Sequence, residues 1–220
     1  MKKTLFATII ALMSLMQYGH AFSSPKPPVS IITQQEADQL NAKLDKANNL
    51  IEPYMFLANT KHKKANKKKL RQAIKLYDEV LNRIPDHWVS LFFRGKAYQA
   101  LGEHENAYQS LKLAFYYQAE NKDVLNEYAL EAMELGYFKE ALSVLAQGQK
   151  RYRSDIGVRG NYALALIMNN NIEDGLKALR QVQTQWPDDP ITKNIIVIAE
   201  KIESGEAKLP TTVHGLRKIK

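Results

Sequence analysis

Apolar and small residues recur every 34 positions through the middle of the chain. The turn-forming residues Gly102, Gly136 and Asn170 keep this step. Two further columns keep it over four units, one of small residues and one of larger apolar residues: Ala73, Ala107, Ala141 and Gly175, then Tyr77, Leu111, Leu145 and Leu179. A period of this length is typical of a solenoid that is built from stacked helical units.

Each unit predicts two helices. In residues 88–121, apolar side chains recur at steps of three or four on either side of Gly102, which stands where a positive φ is favoured. A candidate N-cap, Asp189, precedes the last unit boundary and is followed by Pro190. We therefore predict an all-α solenoid of about 3.5 helical hairpins over residues 53–204. Its units lie near residues 54–87, 88–121, 122–155 and 156–189.

Further elements are predicted at both ends of the repeats. Thr33 and Glu36 form a capping box for an N-terminal helix over residues 33–52, which covers the end of the stack or lies in its groove. A capping helix is predicted over residues 190–204, because a stack needs a polar face at its end. Residues 205–220 contain Gly, Pro and several basic residues, so we expect a flexible basic tail.

The first 21 residues have the pattern of a signal peptide. Lys2 and Lys3 precede an apolar run that is too short to span a bilayer, and small residues lead to a cleavage site after Ala21. A Pro-rich linker follows over residues 22–32. We expect a periplasmic or secreted protein with no membrane span after cleavage, and a permanent anchor is the alternative.

Several residues fit the pattern of a known repeat family: Trp88, Gly95, Tyr98, Ala107 and Pro187. In this pattern the chain resembles the tetratricopeptide repeat (TPR) over roughly residues 54–204. Arg94 stands where the family usually has Leu, and no single unit has the whole set. The resemblance implies a right-handed α-solenoid whose concave face is lined by the first helix of each unit. With the Met-Lys-Lys start, it implies an exported bacterial TPR protein.

The family pattern also implies which side chains line the concave groove. They are Val89, Phe92, Lys96, Gln99, Asn126, Leu130, Met133, Leu164, Ile167 and Met168, together with Gly160. Some relatives bind a terminal carboxylate at these positions, but only Lys96 and Asn126 could serve here, so we do not expect a carboxylate clamp. This largely apolar groove suits an amphipathic helix or an extended apolar peptide. Alternatively, the side chains pack between units or hold the chain's own N-terminal helix.

The formal net charge of +8 is concentrated in one run that contains no acidic residue. Its basic residues are Lys61, Lys63, Lys64, Lys67, Lys68, Lys69 and Arg71. The run is interpreted as a solvated loop or as a contact with an anionic envelope surface. Nucleic acid is an unlikely partner, since no aromatic residue in the run could stack on a base.

The sequence contains no recognisable catalytic constellation. It has no Cys, no nucleophile elbow, no phosphate-binding glycine loop and no Rossmann fingerprint, and its histidines are widely spaced. We therefore expect no enzyme, no metal and no cofactor. The predicted function is a protein–protein interaction scaffold in the bacterial periplasm that binds a peptide or protein in its groove. The alternative is an envelope-attached structural or secretion-system accessory protein held through the basic run.

Overall fold

The computed structural model describes residues 32–55 and 66–219. The predicted signal peptide, almost all of the predicted linker and three residues of the basic run, Lys61, Lys63 and Lys64, lie outside this part of the chain.

All of the longer elements in the described residues are helices. They are α1 (Gln34–Ile51), α2 (Lys67–Leu81), α3 (Trp88–Leu101), α4 (His104–Tyr117), α5 (Lys122–Glu134), α6 (Phe138–Arg151), α7 (Ile156–Met168), α8 (Ile172–Gln185), α9 (Pro190–Glu203) and the short α10 (Val213–Leu216). A 3₁₀ turn, Glu52–Tyr54, follows α1. No helix in the described ranges is long and apolar enough to cross a membrane.

The helices stack in two layers. From α1 to α9 each helix packs on the next one along the chain, and α1 also meets α3, α5 meets α7, and α7 meets α9. The odd-numbered helices therefore form one layer, which we call the inner layer, and the even-numbered helices form the outer one. The all-α helical-repeat fold that the 34-residue period predicted is confirmed.

The turn residues of the repeat have the backbone conformation that the sequence predicts. Gly102, Gly136 and Asn170 have φ angles of 76°, 81° and 64°. This left-handed region is disfavoured for residues that carry a Cβ, and Asn tolerates it better than most. Asp155 and Asp189 cap α7 and α9, because their carboxylates accept hydrogen bonds from backbone amides three residues later.

Small residues allow the two helices of a unit to approach closely. A Cβ on Gly95 of α3 would lie 2.7 Å from Cγ of Leu111 on α4. Ala107, at the corresponding place on α4, is fully buried. The close approach expected between these helices therefore depends on both small residues.

The first hairpin differs from the prediction. We placed its first helix at Tyr54, but Tyr54 lies in the 3₁₀ turn and α1 is the helix that packs on α2. Tyr77 of α2 is fully buried and its hydroxyl donates to Asn48 of α1 at 2.6 Å. The predicted N-terminal helix is thus a member of the inner layer. A connection of residues 52–66 separates it from α2 and contains the first part of the basic run.

The C-terminal segment also differs from the prediction of a flexible tail. We define it as residues 206–219. The chain reverses at Gly205, where φ is 81°, and the Ala207 amide donates to the carbonyl of Lys201 at 2.9 Å. The short helix α10 then packs on α5, and Leu216 is only 5% exposed. The aliphatic residues of the segment, rather than its basic residues, determine where it lies.

Candidate peptide-binding groove

The predicted groove residues divide into two groups by their exposure. Half-buried residues are Val89, Phe92, Gln99, Asn126 and Leu130, and buried residues are Lys96, Met133, Leu164, Ile167 and Met168. Gly160 is half-buried. All of them lie on α3, α5 or α7 of the inner layer.

Ile167 lies between the two helices of its own unit rather than in the groove. Its Cγ1 atom occupies the space where a Cβ on Gly175 of α8 would be, at 2.5 Å. It belongs to an apolar cluster with Leu176 and Leu179 of α8. The family pattern placed Ile167 on the concave face, but its side chain contributes to the packing of α7 against α8.

A row of polar contacts joins α3 to α5 at the N-terminal half of the inner face. Lys96 Nζ lies 2.7 Å from a carboxylate oxygen of Glu127. Gln99 donates to Glu131 at 2.8 Å, and His104 Nδ1 lies 2.7 Å from the same carboxylate. These contacts span 27 to 32 positions, so they hold neighbouring units in register.

The buried carboxylate of Glu131 is the centre of this row. Its side chain is 5% exposed. Burial raises the pKa of Glu131 above its ordinary value, while the hydrogen bonds from Gln99 and His104 act in the opposite direction. A buried carboxylate needs such partners, because an unpaired charge in this position would be costly. Glu131 therefore sets the spacing of α3 and α5.

The two side chains that could have formed a carboxylate clamp are engaged by their neighbours. Lys96 forms the ion pair with Glu127. Asn126 accepts a hydrogen bond from Asn161 of α7 at 3.1 Å. A peptide that terminates in this half of the groove would have to compete with these contacts.

The C-terminal half of the inner face is apolar and is occupied by the C-terminal segment. Leu130, Leu164 and Met168 belong to one apolar cluster with Leu216. Leu164 and Met168 are 6% and 2% exposed. The backbone amide of His214 donates to Glu134 of α5 at 2.8 Å. The chain thus holds its own distant segment on the inner face, whereas the prediction considered only the N-terminal helix for this role.

Another polar cluster joins α4, α5 and α6. Tyr108 donates to Glu140 at 2.8 Å, and Tyr128 donates to the other oxygen of the same carboxylate. Lys112 lies 3.4 Å from it. Burial alone would raise the pKa of Glu140, but the hydrogen bonds from Tyr128 and Tyr108 and the charge of Lys112 hold it below its ordinary value. Sequence analysis did not identify this cluster, which is a contact between units.

The basic run does not form one continuous surface in the part of the chain that is described. Lys67, Lys68 and Lys69 are exposed in the first turn of α2. Arg71 instead pairs with Glu103, with 2.9 Å between one guanidinium nitrogen and the carboxylate. Arg71 therefore contributes to the junction of the first two units.

Chemistry at the described histidines is structural. His87 caps α3 by accepting from the Ser90 amide at 3.2 Å, and burial lowers the pKa of its ring. His104 contacts Glu131. Within residues 32–55 and 66–219, no group of three or more acidic or histidine side chains could hold a metal ion. The predicted absence of an enzymatic site remains a prediction.

Comparison with known proteins identifies the fold. No family model matches the sequence, and no curated protein is similar enough to count as a relative. MamA from Desulfovibrio magneticus has a similar structure, with a TM-score of 0.63 and 12% identity over 83% of this chain and 95% of that chain. YrrB, described as a TPR protein with an unusual peptide-binding site, has a TM-score of 0.60 and 16% identity over 84% of this chain and 91% of that chain. The chain therefore has the fold of the tetratricopeptide-repeat proteins.

Proposed function

We propose that the protein is an exported, non-enzymatic interaction scaffold that binds a peptide segment of a partner protein on its inner face. The observation that carries this proposal is that the inner face of α5 and α7 already accommodates a peptide segment, residues 206–219, through Leu216 and the Glu134 carboxylate. A surface that binds a segment of its own chain has the shape and polarity to bind one from another chain.

The architecture supports the same proposal. Stacked hairpins form an extended inner surface, and solenoids use such surfaces for binding. The contacts of Lys96 with Glu127 and of Gln99 with Glu131 fix α3 relative to α5. Phe92, half-buried on α3, extends the apolar surface towards the N-terminal half of the groove. A pre-organised surface loses less conformational entropy on binding. The peptide-binding site described for YrrB makes a similar role plausible for this fold.

Export is the second part of the proposal. It is supported by Lys2, Lys3, the apolar run and the small residues before Ala21. Mass spectrometry of the protein isolated from a periplasmic fraction tests it. A mature chain that begins at Phe22 is expected, whereas a chain that keeps residues 1–21 and stays in the cytoplasm contradicts export.

Site-specific photo-crosslinking tests the binding surface. A photo-reactive amino acid replaces Phe92 on α3 in one variant and exposed Gln109 on the outer helix α4 in a matched control. We expect one defined partner to be crosslinked in cells at position 92 and not at position 109. Equal crosslinking at both positions, or none at position 92, would contradict binding on the inner face.

A further inference from the structure

We propose that the C-terminal segment is a self-ligand of the inner groove, and that the partner binds with a segment of the same chemistry. That segment carries aliphatic side chains at steps of three or four residues with basic residues beside them. It must displace residues 206–219 before it can bind. This inference rests on the proposed function and specifies both the partner class and how its binding is controlled.

The aliphatic side chains of the segment follow a regular spacing. Leu209, Val213, Leu216 and Ile219 are separated by four, three and three positions. All four belong to the apolar cluster that contains the groove residues Leu130, Leu164 and Met168. Such spacing places side chains on one face of a helical or turn-rich peptide. The groove therefore recognises a short aliphatic face.

The segment is folded in a way that presents this face. The Thr212 side chain accepts from the Gly215 amide at 3.1 Å and begins α10. A Cβ on Gly215 would lie 2.6 Å from Cβ of Pro210, so the segment packs closely on itself. The His214 amide is directed at Glu134. These contacts make the segment a compact unit with its own local structure.

The attachment of this unit is small enough to be reversible. Leu216 is its one buried residue, whereas the inner helices α5 and α7 each bury several. A single reversal at Gly205 connects it to α9. A tethered segment of this kind competes at an effective concentration on the order of millimolar. It therefore lowers the apparent affinity of an external peptide in proportion to the time that it occupies the groove.

The charges of segment and groove have opposite signs. Residues 205–220 contain four basic residues and one acidic residue. Three carboxylates lie on α5, at Glu127, Glu131 and Glu134, and the ion pair of Lys96 offsets one of them. A cationic peptide is favoured near this helix, and its association with the groove is steered by charge. Basic residues beside the aliphatic face are thus part of the predicted partner.

Thiol labelling tests whether the segment occupies the groove. The chain has no Cys, so labelling of a Leu130→Cys variant reports this position alone. If the segment covers the groove in about nine-tenths of the molecules, adding Leu216→Glu accelerates labelling about tenfold. Val197→Glu on α9 is the matched control, since Val197 is 50% exposed and should leave the rate unchanged. Equal rates with and without Leu216→Glu overturn the inference.

A synthetic peptide of residues 206–220 tests the partner chemistry. We expect it to slow the labelling of the Leu130→Cys, Leu216→Glu chain at least about tenfold at saturation. A peptide with Leu209, Val213 and Leu216 replaced by Asp should give no protection, and one with its basic residues replaced by Glu should bind more weakly. If neither charge nor aliphatic residues affect protection, the proposed partner class is wrong.

Two further measurements close the remaining routes. Gly215→Val disrupts the segment without changing the groove, and it should also accelerate labelling, so the result does not depend on the folding of the Leu216→Glu chain alone. Protection that depends on protein concentration would assign the groove to the segment of a second copy and overturn the intramolecular contact. Failure of crosslinking at position 92 contradicts the proposed function, and equal labelling rates contradict this inference, so the two failures are distinct.

Discussion

The backbone amide of His214 donates a hydrogen bond to the carboxylate of Glu134 at 2.8 Å, although the two residues are 80 positions apart. This contact brings the end of the chain back to the middle of the inner layer. It places Leu216 beside the apolar residues of α5 and α7. The groove of this solenoid is therefore partly filled in the free protein, and any partner binds in competition.

Leu216→Ala should release the C-terminal segment without unfolding the repeats. Truncating a buried Leu costs about 2–5 kcal/mol in a rigid core, and we expect the low end here because the segment lies at the chain end. Hydrogen exchange should show faster exchange at residues 206–219, with little change in α3 and α4. Faster exchange throughout the solenoid would instead make the segment an integral part of the core.

Ala141→Leu should destabilise the fold by about 1–3 kcal/mol, because a larger side chain must displace its neighbours. Ala141 is fully buried and occupies the small-residue column of the repeat. Urea denaturation measures the change in the free energy of unfolding. Ala119→Leu, at an exposed position between α4 and α5, is the control and should change it little. An unchanged midpoint for Ala141→Leu would contradict the assigned register.

Gly102→Ala and Gly160→Ala should have opposite effects on stability. Neither added Cβ would have a neighbour within 4 Å, so crowding does not distinguish them. Gly102 has a φ of 76°, and an L-residue there costs about 1 kcal/mol. Gly160 lies within α7, where Ala is favoured over Gly by about 0.5–1 kcal/mol. Chemical denaturation of both variants measures the difference, and equal signs would contradict the left-handed turn at Gly102.

Glu140→Gln should destabilise the protein at neutral pH and have little effect in acid. The folded-state pKa of Glu140 lies below its ordinary value of 4.5. Its ionised form therefore contributes stability above pH 4.5, and this contribution is lost as the pH falls through the folded-state pKa. We expect a loss of about 1 kcal/mol at pH 7, since the side chain is partly solvated. Denaturation at both pH values measures it.

The matched variants for this prediction are Tyr128→Phe and Glu173→Gln. Tyr128→Phe removes one hydrogen bond to the Glu140 carboxylate and should produce part of the same pH-dependent loss. Glu173 is exposed on α8, and its replacement by Gln should have a small effect at either pH. A loss for Glu140→Gln that persists unchanged in acid would contradict a role for the ionised carboxylate.

The repeated part of the fold could be predicted from the sequence because its signals occur several times. Gly102, Gly136 and Asn170 each mark a turn, and their common spacing excludes a chance match. The first hairpin could not be predicted in the same way. Its inner helix α1 is separated from α2 by residues 52–66, so the 34-residue period points to Tyr54, where a 3₁₀ turn lies instead.

The groove was predictable only in part, because the family pattern assigns a helix face and does not identify what covers it. Lys96 was expected in the groove, but its charge is paired with Glu127 on the next inner helix. The basic and turn-forming residues of the C-terminal segment suggested a flexible tail. The signal that indicated otherwise was the spacing of Leu209, Val213 and Leu216, which is too short to stand out from composition alone.

The most direct test of the account maps what touches Leu130 in the free, full-length protein. A photo-reactive amino acid replaces Leu130, and the same replacement at exposed Val197 is the control. After irradiation and trypsin digestion, mass spectrometry should find position 130 linked within one chain to the fragment of residues 209–217, and position 197 not linked to it. A position 130 that reacts only with solvent, or only with a second chain, would contradict a groove occupied by its own C-terminal segment.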